Sequence, residues 1–291
     1  MLKDKFLKYL EVEKRYSIHT IRSYQNDIDG FYGFCDITTD DIIGEIDHKL
    51  IRGWIVFLMN EGISPKSVIR KVSTLKSFYK FLLRNELVSK NPMEKVVIPK
   101  VEKKLPFFVE QNQMRALFDN VDFEDDFKGW RDKIVLSVLY STGIRLNELI
   151  NIKINDIDFS GKTVKVTGKR NKERILPVVP GLLKEIEEYL VVRDKEGINN
   201  EFLIVTNKGQ KAYPKLIYRI VNHGIQQVST IEKRSPHVIR HTFATHMLNN
   251  GSDLNAIKEL LGHANLSATE IYTHNTFEKL KKTYNQAHPR A

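Results

Sequence analysis

The stretch from Ser235 to Tyr272 constrains the chain most, because its punctuation cuts it into short helices with chemistry at their ends. Ser235-Pro236 reads as a helix start, with Ser at the N-cap and Pro in the first helical position. Asn249-Asn250-Gly251 reads as its stop. A second helix begins around Asp253 and ends at Gly262, which leaves His263 on a turn. Ser267-x-x-Glu270 has the form of a capping box and places Tyr272 about one turn into a third helix. His237 lies in the first turn of the first helix, where unpaired N–H groups favour an anion. Arg240 and His241 share its face, and His246 and His274 add two more imidazoles. Taken singly, these residues say little. A helical HxxR is ordinarily a surface pair, and a helical Tyr is ordinarily packing. His241 and His246 do not form an HExxH pair, and with one cysteine no zinc ligand set is visible. Taken together, they gather cations around one phenol.

Charge supports an anionic partner. Lys and Arg number 46 against 36 Asp and Glu, a net charge of +10 and a pI of about 9.4, which points to nucleic acid or an anionic surface. The lone Cys35 excludes an internal disulfide and suggests a reducing compartment. Met1-Leu2-Lys3-Asp4-Lys5 starts a charged helix rather than a signal peptide, and no apolar run is long enough to span a bilayer. The expectation is a cytoplasmic protein.

The 291 residues suggest two domains. Residues 1–95 read as four helices. Their apolar stripes are Leu2, Phe6, Tyr9 and Leu10; Ile21, Tyr24, Ile28 and Phe31; Ile51, Ile55 and Leu58; and Val68, Val72, Leu75, Tyr79 and Leu82. Around the last stripe stand Lys66, Arg70, Lys71, Lys76, Lys80 and Arg84. That excess of one sign reads as phosphate contact rather than plain solvation. Residues 96–108 read as an extended, semi-stiff linker around Pro99 and Pro106. From 109 to 291 the pattern is mostly helical, with helices near Gln111–Asn120, Trp130–Tyr140, Gly181–Lys195 and Pro214–Val228. Thr163–Thr167 and Arg174–Val178 form a hairpin with Gly168–Lys172 as its basic turn. Thr142-Gly143 breaks a helix, and Arg145 opens a short one. Glu148, at i+3, orients Arg145 or a neighbour, or forms a simple helix ion pair.

These boxes resemble a known family. His237-x-x-Arg240-His241, then Leu260-Leu261-Gly262-His263, then Tyr272 nine residues on, resemble the signature of the tyrosine site-specific recombinases, the phage integrase superfamily. Thr142-Gly143-Ile144-Arg145-Leu146-Asn147-Glu148-Leu149 resembles that family's first arginine box, and Gly168-Lys169-Arg170-Asn171-Lys172-Glu173-Arg174 its lysine turn. The resemblance covers nearly the whole chain. Its length and its ending, His288-Pro289-Arg290-Ala291, are most similar to the Xer branch, XerC/XerD-like.

The resemblance implies a mainly α fold. An all-helical N-terminal DNA-binding domain would precede a mostly helical catalytic domain with a small antiparallel sheet, the DNA breaking-rejoining fold. It implies cleavage through a 3′-phosphotyrosyl intermediate and strand exchange through a Holliday junction, for chromosome or plasmid dimer resolution. Integration of a mobile element is the alternative; type IB topoisomerase chemistry and non-catalytic DNA binding stand further off. The implied catalytic set is Arg145, Lys169, His237, Arg240, His263 and Tyr272, with Tyr272 the nucleophile. Arginines suit the phosphate because their planar forks stay charged and bind two oxygens at once. His263 is a further donor, and His237 is a donor or the proton acceptor. Lys169 is the acid for the leaving 5′-oxygen, with Lys172 next in line. Expected DNA contacts are Lys66, Arg70, Lys71, Lys76, Arg170 and Lys172. No cofactor or metal is expected, since neither a P-loop nor an acidic two-metal cluster is visible. The partners implied are a duplex target site and a tetramer with itself or a related recombinase, with no membrane. Past Tyr272, Phe277, Leu280 and Tyr284 mark an amphipathic helix. It must dock on something, and the resemblance favours a neighbouring protomer over its own domain.

Overall fold

The computed structural model describes residues 1–97, 107–168, 171–262 and 274–290. Two compact units divide it, Met1–Lys104 and Leu105–Ala291, and each has its own core.

The first unit is helical. α1 (Leu2–Val12), α2 (Ile18–Phe34), α4 (His48–Asn60) and α5 (Pro65–Arg84) are the four expected helices, and a single turn, α3 (Ile42–Glu45), precedes α4. Ser17, Asp47 and Ser64 cap α2, α4 and α5 through side-chain oxygens, satisfying N–H groups that a helix start leaves open. Phe6, Ile28, Phe31, Ile51, Trp54, Val72, Phe78 and Tyr79 close the core between these helices.

The second unit is mixed. α6 (Gln111–Asp119) and α7 (Phe127–Thr142) lead into α8 (Leu146–Asn151), and a three-stranded antiparallel sheet follows. Its strands are β1 (Ile157–Asp158), β2 (Thr163–Thr167) and β3 (Glu173–Pro177) in that order, with Val166 opposite Arg174 and Thr167 opposite Glu173. α9 (Pro180–Lys195), α10 (Pro214–Val228), α11 (Pro236–Asn249), α12 (Leu254–Leu261) and α13 (His274–Ala287) complete it. α7 is buried on every side along its second half, from Ile134 to Thr142, and forms the axis of the unit. Phe107 packs against this core, and the fully buried Val109 donates its N–H to Thr242 Oγ1 at 3.0 Å.

The tail helix of this chain packs on its own unit. Leu280, Tyr284 and Ala287 of α13 are buried in the core of their own unit, and the Tyr284 hydroxyl donates to the Ser141 carbonyl at 2.7 Å. Beyond the helix, Arg290 pairs with Glu185 at 2.6 Å and lies over the Phe118 ring. Docking into a neighbouring protomer was the expectation; in this single chain the helix packs on its own unit. An amphipathic pattern states that a face is buried, not which surface buries it. No helix among the described residues is long and apolar enough to cross a membrane.

Candidate active site

Three arginines from three separate elements meet at the C-terminus of α12. Arg145 caps α8 two residues after the left-handed Gly143 that ends α7, Arg174 lies on β3, and Arg240 is one turn into α11. Each takes one of three successive carbonyls. Arg174 Nε donates to Leu260 at 3.1 Å, Arg240 Nη2 to Leu261 at 2.7 Å and Arg145 Nη2 to Gly262 at 3.0 Å. These carbonyls end a helix and carry its negative pole, so three cations are at home there. Arg240 Nη1 also donates to the Gly143 carbonyl at 2.8 Å, which ties the end of α7 to the end of α12.

Glu148 is the one carboxylate in this group. Its side chain is 2 % exposed and accepts from Arg174 through both oxygens, at 2.8 and 3.0 Å. It also accepts from Arg145 Nη1 at 2.9 Å and from the Arg145 backbone N–H at 2.7 Å. Of the readings open from sequence, the structure shows Glu148 engaged with Arg145 and with Arg174 at once. Burial alone would raise its carboxyl, but the hydrogen bonds and charge of Arg174, then Arg145, hold it below the usual carboxylate range. Among the described residues, two of these three guanidiniums, Arg145 and Arg174, are bonded to one carboxylate, Glu148. Burial, and then the like charge of Arg145, push Arg240 down to about 10, so it remains a cation near neutrality.

A guanidinium has five N–H donors. Arg240 directs two of them to backbone carbonyls and Arg145 two to Glu148 and Gly262, so donors remain on both. Arg145 is also 38 % exposed. Arg174, at 9 %, is committed inward.

Of the other candidates, His237 is exposed in the first turn of α11. His241 is half-buried, while His246 is buried with Nδ1 2.9 Å from the Tyr140 hydroxyl, and burial lowers its pKa. Lys169, Arg170, His263 and Tyr272 lie outside the described residues, as does the expected capping box at Ser267 and Glu270. The strands that carry the lysine turn are described: the Gly168 N–H donates to the Lys172 carbonyl at 2.7 Å, and Lys172 is exposed. On α5, Lys66 and Lys76 are exposed. Arg70 and Lys71 are engaged by the buried Asp27, which also accepts from Thr74 Oγ1 at 2.8 Å. Asp27 escaped the sequence reading, although an acid directly before Ile28 in the apolar stripe of α2 was its signal. Among the described residues no group of three or more His, Cys, Asp or Glu is placed to hold a metal ion.

Comparison with known proteins is consistent along the whole chain. Residues 108–279 match the phage integrase family, and residues 4–86 match the phage integrase N-terminal SAM-like domain. The chain is 40% identical over 291 residues to tyrosine recombinase XerC of Staphylococcus saprophyticus, covering 100% of this chain and 98% of that protein. It is likewise 40% identical to tyrosine recombinase XerC of Staphylococcus aureus, covering 100% of this chain and 97% of that one. The crystal structure of XerH site-specific recombinase bound to difH substrate, in its pre-cleavage complex, shares the fold. Its TM-score is 0.70 at 22% identity, over 96% of this chain and 82% of that one. With both halves matched and full-length identity at this level, the chain belongs to the phage integrase family of tyrosine recombinases, within its Xer branch.

Proposed function

We propose that this site-specific recombinase cuts one strand of a duplex target through Tyr272 and exchanges strands through a Holliday junction to resolve chromosome or plasmid dimers. The carrying observation is the convergence of Arg145, Arg174 and Arg240 on the three carbonyls that directly precede His263. Fixed positive charge there suits a phosphodiester whose non-bridging oxygens gain charge during attack. Arg145 and Arg240 hold that phosphate, and His263 adds a donor. His237 takes the phenolic proton, because tyrosine, with an ordinary pKa of about 10, needs help to ionise near neutrality. The tyrosyl oxygen bonds to phosphorus, the bond to the 5′-oxygen breaks, and Lys169 supplies the proton that this oxygen needs. The phosphotyrosyl ester conserves the energy of the broken bond, so a 5′-hydroxyl from another strand reverses the step without a nucleotide. Lys66, Lys76, Arg170 and Lys172 contact DNA phosphates, and Arg70 reaches them while held by Asp27. The working assembly is a tetramer on DNA in the cytoplasm, formed with itself or a related recombinase. The 40% identity to XerC proteins supports this role over integration of a mobile element.

Tyr272→Phe tests the assignment. On a nicked duplex bearing a site selected from random sequences, the variant should bind as the parent does and form no covalent adduct. An adduct of normal yield would remove Tyr272 from the mechanism.

A further inference from the structure

We infer that Arg174 is a positioning residue that sets the phosphate-binding Arg145 and the lysine turn against one rigid frame; the inference rests on the site reading above. Arg174 lies on β3 opposite Val166, just beyond the turn that Gly168 and Lys172 close. Its guanidinium lies beside Gly168 at the start of that turn, where a Cβ would be 3.7 Å from Nη1. Two nitrogens hold both oxygens of Glu148, and the third holds the Leu260 carbonyl. All three nitrogens are therefore engaged by the protein.

Three elements lean on this pair. Arg145 is fixed to Glu148 through its side chain and its backbone N–H. Gly168, at the start of the lysine turn, lies so close that a Cβ there would be 3.1 Å from Glu148 Oε1. Gly262, which has φ of +64° and precedes His263, would place a Cβ 3.2 Å from the Arg174 guanidinium. A glycine is needed at Gly262 on both counts, the left-handed backbone and the close approach. Arg174 thus links the turn strand to the α12 end directly and to the α8 start through Glu148. The planar fork is what makes this work, since an ammonium offers a point charge and cannot hold two carboxylate oxygens and a carbonyl in fixed directions. Loss of the fork should displace Arg145 and the strand end at Gly168 that leads into the lysine turn, although Arg174 touches no reacting atom.

The test compares Arg174→Lys with the parent on two nicked duplexes bearing a selected site. One carries the normal 5′-bridging oxygen at the scissile phosphate and the other a 5′-bridging sulfur, which leaves without a proton. Half-site binding by Arg174→Lys should stay within about threefold of the parent, and single-turnover cleavage of the oxygen substrate should fall about a hundredfold, the scale of a misplacement near 1 Å. The sulfur substrate should recover about tenfold of that loss, because it bypasses Lys169 but not Arg145. Parental rates on both substrates would overturn the proposal, and so would an equal loss on both. Arg174→Gln guards against a fold-specific failure of the lysine variant. If neither variant binds DNA, Arg174 serves folding alone and the inference is wrong. Tyr272→Phe runs in parallel. An adduct from it would condemn the nucleophile assignment while leaving the oxygen-to-sulfur comparison for Arg174 readable.

Discussion

Glu148 is held in its charged form, 2 % exposed, by two guanidiniums. An acid so placed would otherwise lose its proton only at a raised pH. Because its folded pKa lies below the unfolded one, its stabilisation is complete above about pH 4.3 and fades as pH falls through the folded value. Glu148→Gln keeps the shape but leaves two cations facing an amide, which should cost about 3 kcal/mol or more. Urea unfolding at pH 7 measures that cost, and the same variant should lose stability less steeply below pH 4.3 than the parent. Equal stability of the two proteins at pH 7 would show that the pairing contributes nothing. At this scale the sequence was half legible. The i+3 spacing displayed Arg145 beside Glu148, but Arg174 arrives from a strand 26 positions away, and no local pattern announces a bidentate contact of that kind. In the first unit Asp27 also takes its partners Arg70, Lys71 and Thr74 from another helix, although its place before Ile28 in the apolar stripe was a local signal.

Among the elements, most helices were readable, including α7, which was expected near Trp130–Tyr140 although it is buried on every side along its second half. α2, α4 and α5 repeat apolar residues at helical spacing and begin at Ser or Asp caps, so their positions followed from pattern and punctuation. α3 is too short to show a period. The amphipathic face of α13 was legible and its dock was not, because its acceptors belong to α7 and other non-neighbouring segments. That dock gives the tail an acid sensitivity. His288 is buried against the Tyr284, Tyr140 and Phe243 rings with Arg290 nearby. Burial, aided by the Arg290 charge, pushes its pKa down to about 3. The folded protein keeps this imidazole neutral while the unfolded chain protonates it near pH 6.5, so stability is lost as pH falls from about 6.5 toward about 3. His288→Phe should flatten that loss between pH 6.5 and 4, leaving the smaller part due to His246, which burial also holds low. Denaturation midpoints at pH 7 and pH 4.5 for the two proteins decide it; an unchanged difference between them would mean that His288 is not the sensitive group. Tyr284→Phe, which strands the Ser141 carbonyl, should cost about 1–3 kcal/mol in the same assay.

For the molecule as a whole, the net charge of +10 matters through where its cations are free. Each phosphate neutralised by a protein cation releases condensed counterions, so the logarithm of duplex affinity should fall linearly with the logarithm of salt concentration, by about 0.9 per contact. The structure separates the basic residues of α5 into two kinds. Lys66 and Lys76 are exposed and carry no ion pair within the described residues, whereas Lys71 is largely covered and paired with the buried Asp27. Arg70 stands between, held by Asp27 yet 49 % exposed. Replacing Lys66 or Lys76 with alanine should lower the salt slope by about 0.9 each and leave stability within about 0.5 kcal/mol of the parent. Lys71→Ala should do the opposite: it leaves the slope nearly unchanged and destabilises the first unit, since Asp27 loses one of its two cations. Binding titrations across a salt series, paired with urea unfolding, read both quantities for each variant. If Lys71→Ala lowers the slope as much as Lys66→Ala, Asp27 does not withhold that lysine from the duplex, and the division of the α5 cations into free and committed is wrong.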